Sequence, residues 1–168
     1  NIVSLIDSDG TFSPNDLKKM IPYLENCDMV IGTRQVQTLT EKGNQNSMFY
    51  VWGNMLLAKL LQLKYFSLLH LGIVQLTDVG CSYRCIRKDA LEKIIDELTN
   101  PNDPSILKPK NWLFSLYMTM LSIENDLKIV EIPLTFRKRG GGESKSEVTK
   151  KSKGFVYGMK FLWFILKR

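Results

Sequence analysis

Histidine and cysteine are scarce in this 168-residue chain, which has one His and three Cys. Cys27, Cys81 and Cys85 make neither an even disulfide set nor a C-x-x-C pair, so a disulfide framework is excluded and the three read as reduced, mostly buried thiols. His70 stands alone in an apolar stretch, where an imidazole is more often a core or loop residue than a ligand. No apolar run reaches the ~20 residues that a bilayer-spanning helix needs, and no signal peptide is visible. There is no internal repeat. A starting Met is also missing: the chain opens at Asn1 inside what reads as a buried strand, and the expectation is a piece of a longer protein.

Apolar residues make up 44% of the chain, enough for one globular domain with a real core. The formal charge of +6 is unevenly spread. From Arg137 onward there are ten Lys or Arg against Glu143 and Glu147, so this tail carries +8 and the remainder −2. A basic segment on a near-neutral body points to a local anionic partner: nucleic acid, a phosphate-bearing substrate or an acidic membrane surface. The segment has no recognisable nucleic-acid-binding fold, and its aromatics cluster with aliphatics instead of interleaving for base stacking, so a nucleic-acid partner is not expected.

The most informative run is Asn1-Ile-Val-Ser-Leu-Ile-Asp-Ser-Asp-Gly-Thr-Phe12. Asp7 and Asp9 end an apolar strand one residue apart. Alternate side chains of a strand share a face, so the two carboxylates can aim at one point beyond its carboxyl end. Hard oxygen ligands there suit Mg²⁺ or Mn²⁺, an ion that commonly carries substrate phosphates. The same run also reads as a strand followed by an Asp-Gly turn whose Asp satisfies nearby backbone donors.

Strand and helix alternate along the chain. Residues 2–6 form an apolar strand, and a helix runs from Ser13 as N-cap and Pro14 at N1 to about Leu24. Residues 28–34 read as a second buried strand, 35–47 as a polar loop and 49–63 as an apolar helix. A loop and strand span about 77–86, and a helix covers 88–98 before Pro101 and Pro104 break the chain. A buried helix is expected over 112–123, a strand with Pro133 over 128–136, and a last helix over 154–166. Strand-helix-strand order with short links argues for a parallel α/β sheet. Ligands of such sheets bind beyond the carboxyl ends of the strands, where Asp7, Asp9 and Arg34 would lie. A carboxylate pair beside an Arg can grip a diphosphate through a metal and a guanidinium fork. Arg34 is equally readable as a surface salt-bridge partner. Arg84, in an otherwise apolar stretch, needs an anionic partner if it is buried.

Two families place D-x-D-G-T after an apolar strand. In haloacid-dehalogenase-like hydrolases the first Asp is a nucleophile, which would make Asp7 the nucleophile of a Mg-dependent phosphohydrolase. Such enzymes also use a downstream acidic pair, for which Thr77-Asp78-Val79-Gly80 offers a single Asp. The second resemblance is broader. "DSDGTFSP" at 7–14, "DMVIGTR" at 28–34, "WGN" at 52–54, "TDVGCSYRCIRKDAL" at 77–91 and "VEIPLTFRKRGGGESK" at 130–145 resemble, in order, segments of family 2 glycosyltransferases with the GT-A fold. The members concerned are those similar to dolichol-phosphate mannose synthase and other polyprenyl-phosphate sugar transferases.

This resemblance implies an α/β GT-A-like sheet with flanking helices, lacking the amino-terminal nucleotide-binding strands. Residues 1–145 would be the carboxyl-terminal part of the catalytic domain. The implied activity is inverting, metal-dependent transfer of a sugar from a nucleotide-diphosphate sugar to a membrane-associated acceptor, a polyprenyl phosphate above all. Asp7 and Asp9 would hold Mg²⁺ or Mn²⁺. Asp78 falls at the acceptor-side Asp, a general base for a hydroxyl acceptor and an orienting group for a lipid phosphate, whose oxygen is already anionic. Arg84 becomes a partner of phosphate or of an acidic residue. Arg137, Arg139, Ser144 and Lys145 frame Gly140–Gly142, whose flexibility permits closure and whose backbone donors suit phosphate oxygens. A disordered basic linker is the alternative for that loop. The fragment by itself is expected to be inactive.

Residues 146–168 read as a basic linker and an amphipathic helix. The apolar and aromatic run from Gly154 is bounded by cations, as in a helix lying among lipid headgroups. A buried docking helix, or the stub of a transmembrane helix, has the same composition. With a membrane-borne acceptor, the expected location is cytoplasmic and peripheral at the membrane face.

Overall fold

Among the described residues four short strands, β1 (Ile2–Leu5), β2 (Met29–Thr33), β3 (Arg84–Arg87) and β4 (Ile129–Pro133), form one sheet in the order β1-β3-β2-β4. The computed structural model describes residues 1–41, 48–66, 74–100, 113–139 and 151–168. β3 is antiparallel to both β1 and β2, whereas β2 and β4 are parallel. The expected parallel sheet is therefore corrected to a mixed one. β1, β2 and β4 point the same way, and β3 runs back between β1 and β2.

That reversal positions the site. The carboxyl ends of β1, β2 and β4 share one edge of the sheet, and an antiparallel β3 starts there. Residues just before β3, Asp78 to Tyr83, thus reach the same edge as Asp7, Arg34 and Arg139. β1 pairs only with β3 among the described residues and is half-buried, not the buried strand its composition suggested. β2 is buried along its whole length. β4 pairs with β2 on one side, which leaves room for Pro133 at its end, a residue that cannot donate to a ladder.

Helices α2 (Met48–Lys64), α3 (Lys88–Leu98), α4 (Leu113–Glu124) and α5 (Lys151–Lys167) lie close to their expected spans. The helix expected from Pro14 to Leu24 is broken. It consists of a 3₁₀ turn over Pro14–Asp16, one α-turn, α1 (Leu17–Met20), and a second 3₁₀ segment, Ile21–Glu25. Ser13 caps the start, its hydroxyl accepting from Asn15 N at 3.3 Å. Pro22 lacks the N–H that a continuous ladder requires, which accounts for the break. Met20 and Leu24 still reach the core, four residues apart.

The core is built from Met29, Ile31, Ile86, Ile94, Leu116 and Met120, with α4 buried from Leu116 to Ser122. All three cysteines are free and buried, as expected. The end of α5 is clamped to α3 and α4: Arg168 pairs with Glu97 and with Glu124, the latter at 2.9 Å, and its guanidinium lies 4.8 Å from the Tyr117 ring centre. Arg168→Ala should lower stability by about 1–2 kcal/mol, because charge-assisted bonds and a cation–π contact go together. Chemical denaturation with an unchanged m-value checks this.

Candidate active site at the carboxyl edge of the sheet

The D-x-D-G-T run leaves β1 as a tight turn, so the carboxylates are set by turn geometry instead of strand pleat. Gly10 has φ 78°, a conformation that suits glycine. Asp9 Oδ1 accepts from Thr11 N at 3.0 Å and from the Thr11 hydroxyl at 2.6 Å. Its other oxygen, Oδ2, faces the Arg139 guanidinium at 3.2 Å. Asp7 is exposed and accepts a hydrogen bond from the Ser82 hydroxyl. Asp9 thus fills the turn role that its sequence allowed while keeping one oxygen turned to a cation.

Segment 136–139 is tied to that turn by its backbone, Arg137 N donating to Thr11 O at 2.8 Å. Phe12 packs between Tyr83 and Phe136, with ring centres 5.4 and 5.5 Å apart. These contacts carry Arg139 to Asp9. Arg137 is half-buried on the same segment. Ser144, Lys145 and Gly140–Gly142 lie outside the described residues, as do His70, Pro101 and Pro104.

Arg34 and Asp78 form a fork: Nε donates to Oδ2 at 2.6 Å and Nη2 to Oδ1 at 2.7 Å. Asp78 is fully buried and also accepts from Arg34 N at 3.3 Å and Gly80 N at 3.1 Å. Burial pushes its carboxyl up, but the Arg34 guanidinium and the backbone donors bring the net value below the usual carboxylate range. Burial likewise works against the Arg34 charge, and Asp78 raises its pKa above the ordinary value. A Cβ on Gly80 would stand 3.2 Å from Arg34 Nη2 and 3.6 Å from Asn54 Oδ1, so glycine gives this fork its room. Both oxygens of Asp78, the residue expected as a general base or an orienting group, are engaged by Arg34 and by backbone amides.

Glu131 on β4 fixes the same turn from below. It accepts from Thr77 N at 2.8 Å, the Thr77 hydroxyl at 2.7 Å and Asp78 N at 2.9 Å, and Thr77 bonds Thr33 of β2. Burial raises the Glu131 carboxyl. Sequence reasoning missed Glu131 and Ser82. A carboxylate inside the apolar run Ile-Val-Glu-Ile-Pro was the available signal, of the kind that singled out Arg84.

Arg84 itself departs from expectation. It is buried to 1% exposure, and its partners are neutral: Nε donates to Cys81 O at 3.0 Å and Nη1 to the Thr119 hydroxyl at 2.8 Å. Nη2 is buried without a hydrogen-bond partner among the described residues. Burial holds this guanidinium down, to about 10. It ties β3 to α4 through Thr119.

Asp7 and Asp9 supply hard carboxylate oxygens at an open edge, and Asp9 already holds a cationic group. That donor set suits a Mg²⁺- or Mn²⁺-type ion, which keeps water and phosphate oxygens for its remaining positions.

The architecture is that of an α/β domain of the GT-A type, with its acids and arginines gathered at the carboxyl edge of the sheet. Residues 1–95, more than half of the chain, match the model of Glycosyl transferase family 2, and the chain belongs to that family. It is 30% identical over 141 residues to the polyprenol monophosphomannose synthase of Mycolicibacterium smegmatis, covering 83% of this chain and 47% of that protein. It is 29% identical over 142 residues to the undecaprenyl-phosphate mannosyltransferase of Micrococcus luteus, covering 83% and 51%. The chain therefore spans about half the length of these two curated relatives. Family membership sets aside the phosphohydrolase alternative.

Proposed function

We propose that residues 1–145 are the carboxyl-terminal part of a GT-A catalytic domain and that the whole enzyme transfers a sugar from a nucleotide-diphosphate sugar to a polyprenyl phosphate. The observation that carries this reading is the Asp7 and Asp9 pair at the open sheet edge, with a guanidinium on Asp9 at 3.2 Å, in a family 2 chain. The names of the two relatives support the acceptor class.

Asp7 and Asp9 would hold Mg²⁺ or Mn²⁺, which when bound neutralises charge on a departing diphosphate. Arg139 and Arg137, with Ser144 and Lys145 beyond the described residues, bind phosphate oxygens of donor or acceptor. The acceptor phosphate oxygen forms a bond to the anomeric carbon as the bond from that carbon to the diphosphate oxygen breaks. The electron pair leaves with the nucleoside diphosphate. A phosphate monoester is already anionic at neutral pH, so no base is needed. Asp78 then acts as a positioning residue that holds Arg34 at the edge, and Arg84 as a structural group beneath it. About half of each relative has no counterpart in this chain; the donor's base and ribose are assigned to that half, and the chain alone is taken to be inactive. Residues 146–168 form a basic linker and a helix that contacts the cytoplasmic membrane face peripherally. Nucleic acid is not a partner.

The test uses the full-length parent with polyprenyl phosphate and a panel of labelled nucleotide sugars. A labelled lipid product whose formation stops with chelator and resumes with Mn²⁺ is the expected result. Release of inorganic phosphate without a lipid product would overturn the reading.

A further inference from the structure

Asp7 and Asp9 are held in place by different means. Asp9 is fixed locally, by the amide and hydroxyl of Thr11 two residues on. Asp7 is exposed, and among the described residues its carboxylate takes one hydrogen bond, at Oδ2, from the hydroxyl of Ser82, 75 positions away. An exposed aspartate gives up side-chain freedom when it binds a ligand, and a hydrogen bond that selects one rotamer beforehand lowers that cost.

Ser82 can supply that bond because its backbone is anchored on both sides. Cys81 and Tyr83 are fully buried. Cys81 O accepts from Arg84 Nε at 3.0 Å, and Tyr83 O accepts from Gly32 N at 2.9 Å. The Tyr83 hydroxyl donates to Ser13 O at 3.2 Å, and its ring lies against Phe12. Between these two neighbours Ser82 is half-buried and presents its hydroxyl at the carboxyl edge. The buried Arg84 guanidinium thus fixes the peptide that leads into Ser82.

The same bond limits how many oxygens the acid pair offers. Asp7 Oδ2 is engaged by Ser82 and Asp9 Oδ1 by Thr11. Each acid therefore keeps one oxygen for an ion, Oδ1 of Asp7 and Oδ2 of Asp9, the latter facing Arg139 at 3.2 Å. One oxygen per carboxylate suits a small octahedral cation that completes its shell with water and phosphate, whereas Ca²⁺ takes more oxygens and often grips a carboxylate by both. We infer that Ser82 is a positioning residue that orients Asp7 for coordination through a single oxygen and so favours Mg²⁺ or Mn²⁺ over Ca²⁺. This deepens the proposed cation site and rests on that reading.

The experiment is Mn²⁺ binding to the full-length parent without donor or acceptor, followed by the electron paramagnetic resonance signal of free Mn²⁺, with Ca²⁺ affinity read from displacement of bound Mn²⁺. Ser82→Ala should weaken Mn²⁺ binding by about 10- to 100-fold, the usual effect of removing a group that orients a metal ligand, and should lower the ratio of Mn²⁺ to Ca²⁺ affinity. Ser82→Thr keeps the hydroxyl and should bind as the wild type does. Ser82→Cys, whose thiol is a weak donor of similar size, should behave like alanine and replaces it if the alanine variant does not fold. Denaturation without metal separates lost orientation from lost stability. Unchanged Mn²⁺ affinity in Ser82→Ala, an equal fall for both ions, or a threonine variant as weak as alanine would overturn the inference. If Asp7→Asn loses Mn²⁺ while Ser82→Ala does not, this inference alone fails. If Asp7→Asn and Asp9→Asn both bind Mn²⁺ like the wild type, the cation reading fails with it.

Discussion

Asp9→Asn in the full-length parent is expected to lower sugar transfer by about 10²–10³-fold while leaving the fold intact, the scale of losing one electrostatic stabiliser of a leaving group. The substitution is selective because of what Asp9 does in the turn. Its Oδ1 accepts from Thr11 N and the Thr11 hydroxyl, and an asparagine oxygen retains both bonds. What is lost is the charge on the oxygen facing Arg139. Asp7→Asn should act in the same direction, since its bond from Ser82 also survives the change. The measurement is kcat/KM as a function of Mn²⁺ concentration, with circular dichroism as the fold control. Wild-type Mn²⁺ dependence in both variants would sink the assignment. Arg139→Ala gives the complementary result: Mn²⁺ binds more tightly without donor, because a competing cation has been removed, while KM for the nucleotide sugar rises.

The second large effect is on stability. Arg34→Met should cost about 3–5 kcal/mol, because it leaves a fully buried Asp78 carboxylate with its guanidinium gone. The double variant Arg34→Met/Asp78→Asn should cost less than the sum of the single changes, since the uncompensated charge is removed with its partner. The pH dependence has a definite sign. Asp78 has its folded pKa depressed, so its contribution is complete above the unfolded value near ~3.9 and is lost as pH falls through the folded one. The wild type therefore loses stability in acid more steeply than Asp78→Asn. A positioning role also predicts that Asp78→Asn lowers kcat/KM without removing an acid limb from the kcat profile. Disappearance of such a limb would restore Asp78 as a base. Denaturation across pH and pH–rate profiles of the same variants make both comparisons.

Much of the fold is local and was legible. α3 has its expected span, Lys88–Leu98, because an apolar stripe, an acidic first turn and a following break all agree. α4 was recognisable from its near-continuous apolar run. The break at Pro22 was also written in the chain, since proline withholds a donor wherever it stands, but a favourable cap at Ser13 obscured it. The mixed sheet was not legible: strand order depends on which distant strands exchange hydrogen bonds, and β1 pairs with residues about eighty positions away. A local hydrophobic pattern has no term for that choice. The partners of the two oddly placed charges, Arg84 and Glu131, were hidden for the same reason.

By itself the sequence determined where strands and helices form and that an acid pair, a Gly-bearing turn and a basic segment occur in one chain, since these follow from backbone propensity, side-chain period and formal charge. Only the tertiary structure decided that β3 runs back between β1 and β2. That brings Ser82 to Asp7 across 75 residues and Asp78 to Arg34 across 44. The reason is that an ion pair or a buried carboxylate is defined by distance and desolvation, and both are properties of the packed sheet, absent from the order of the residues.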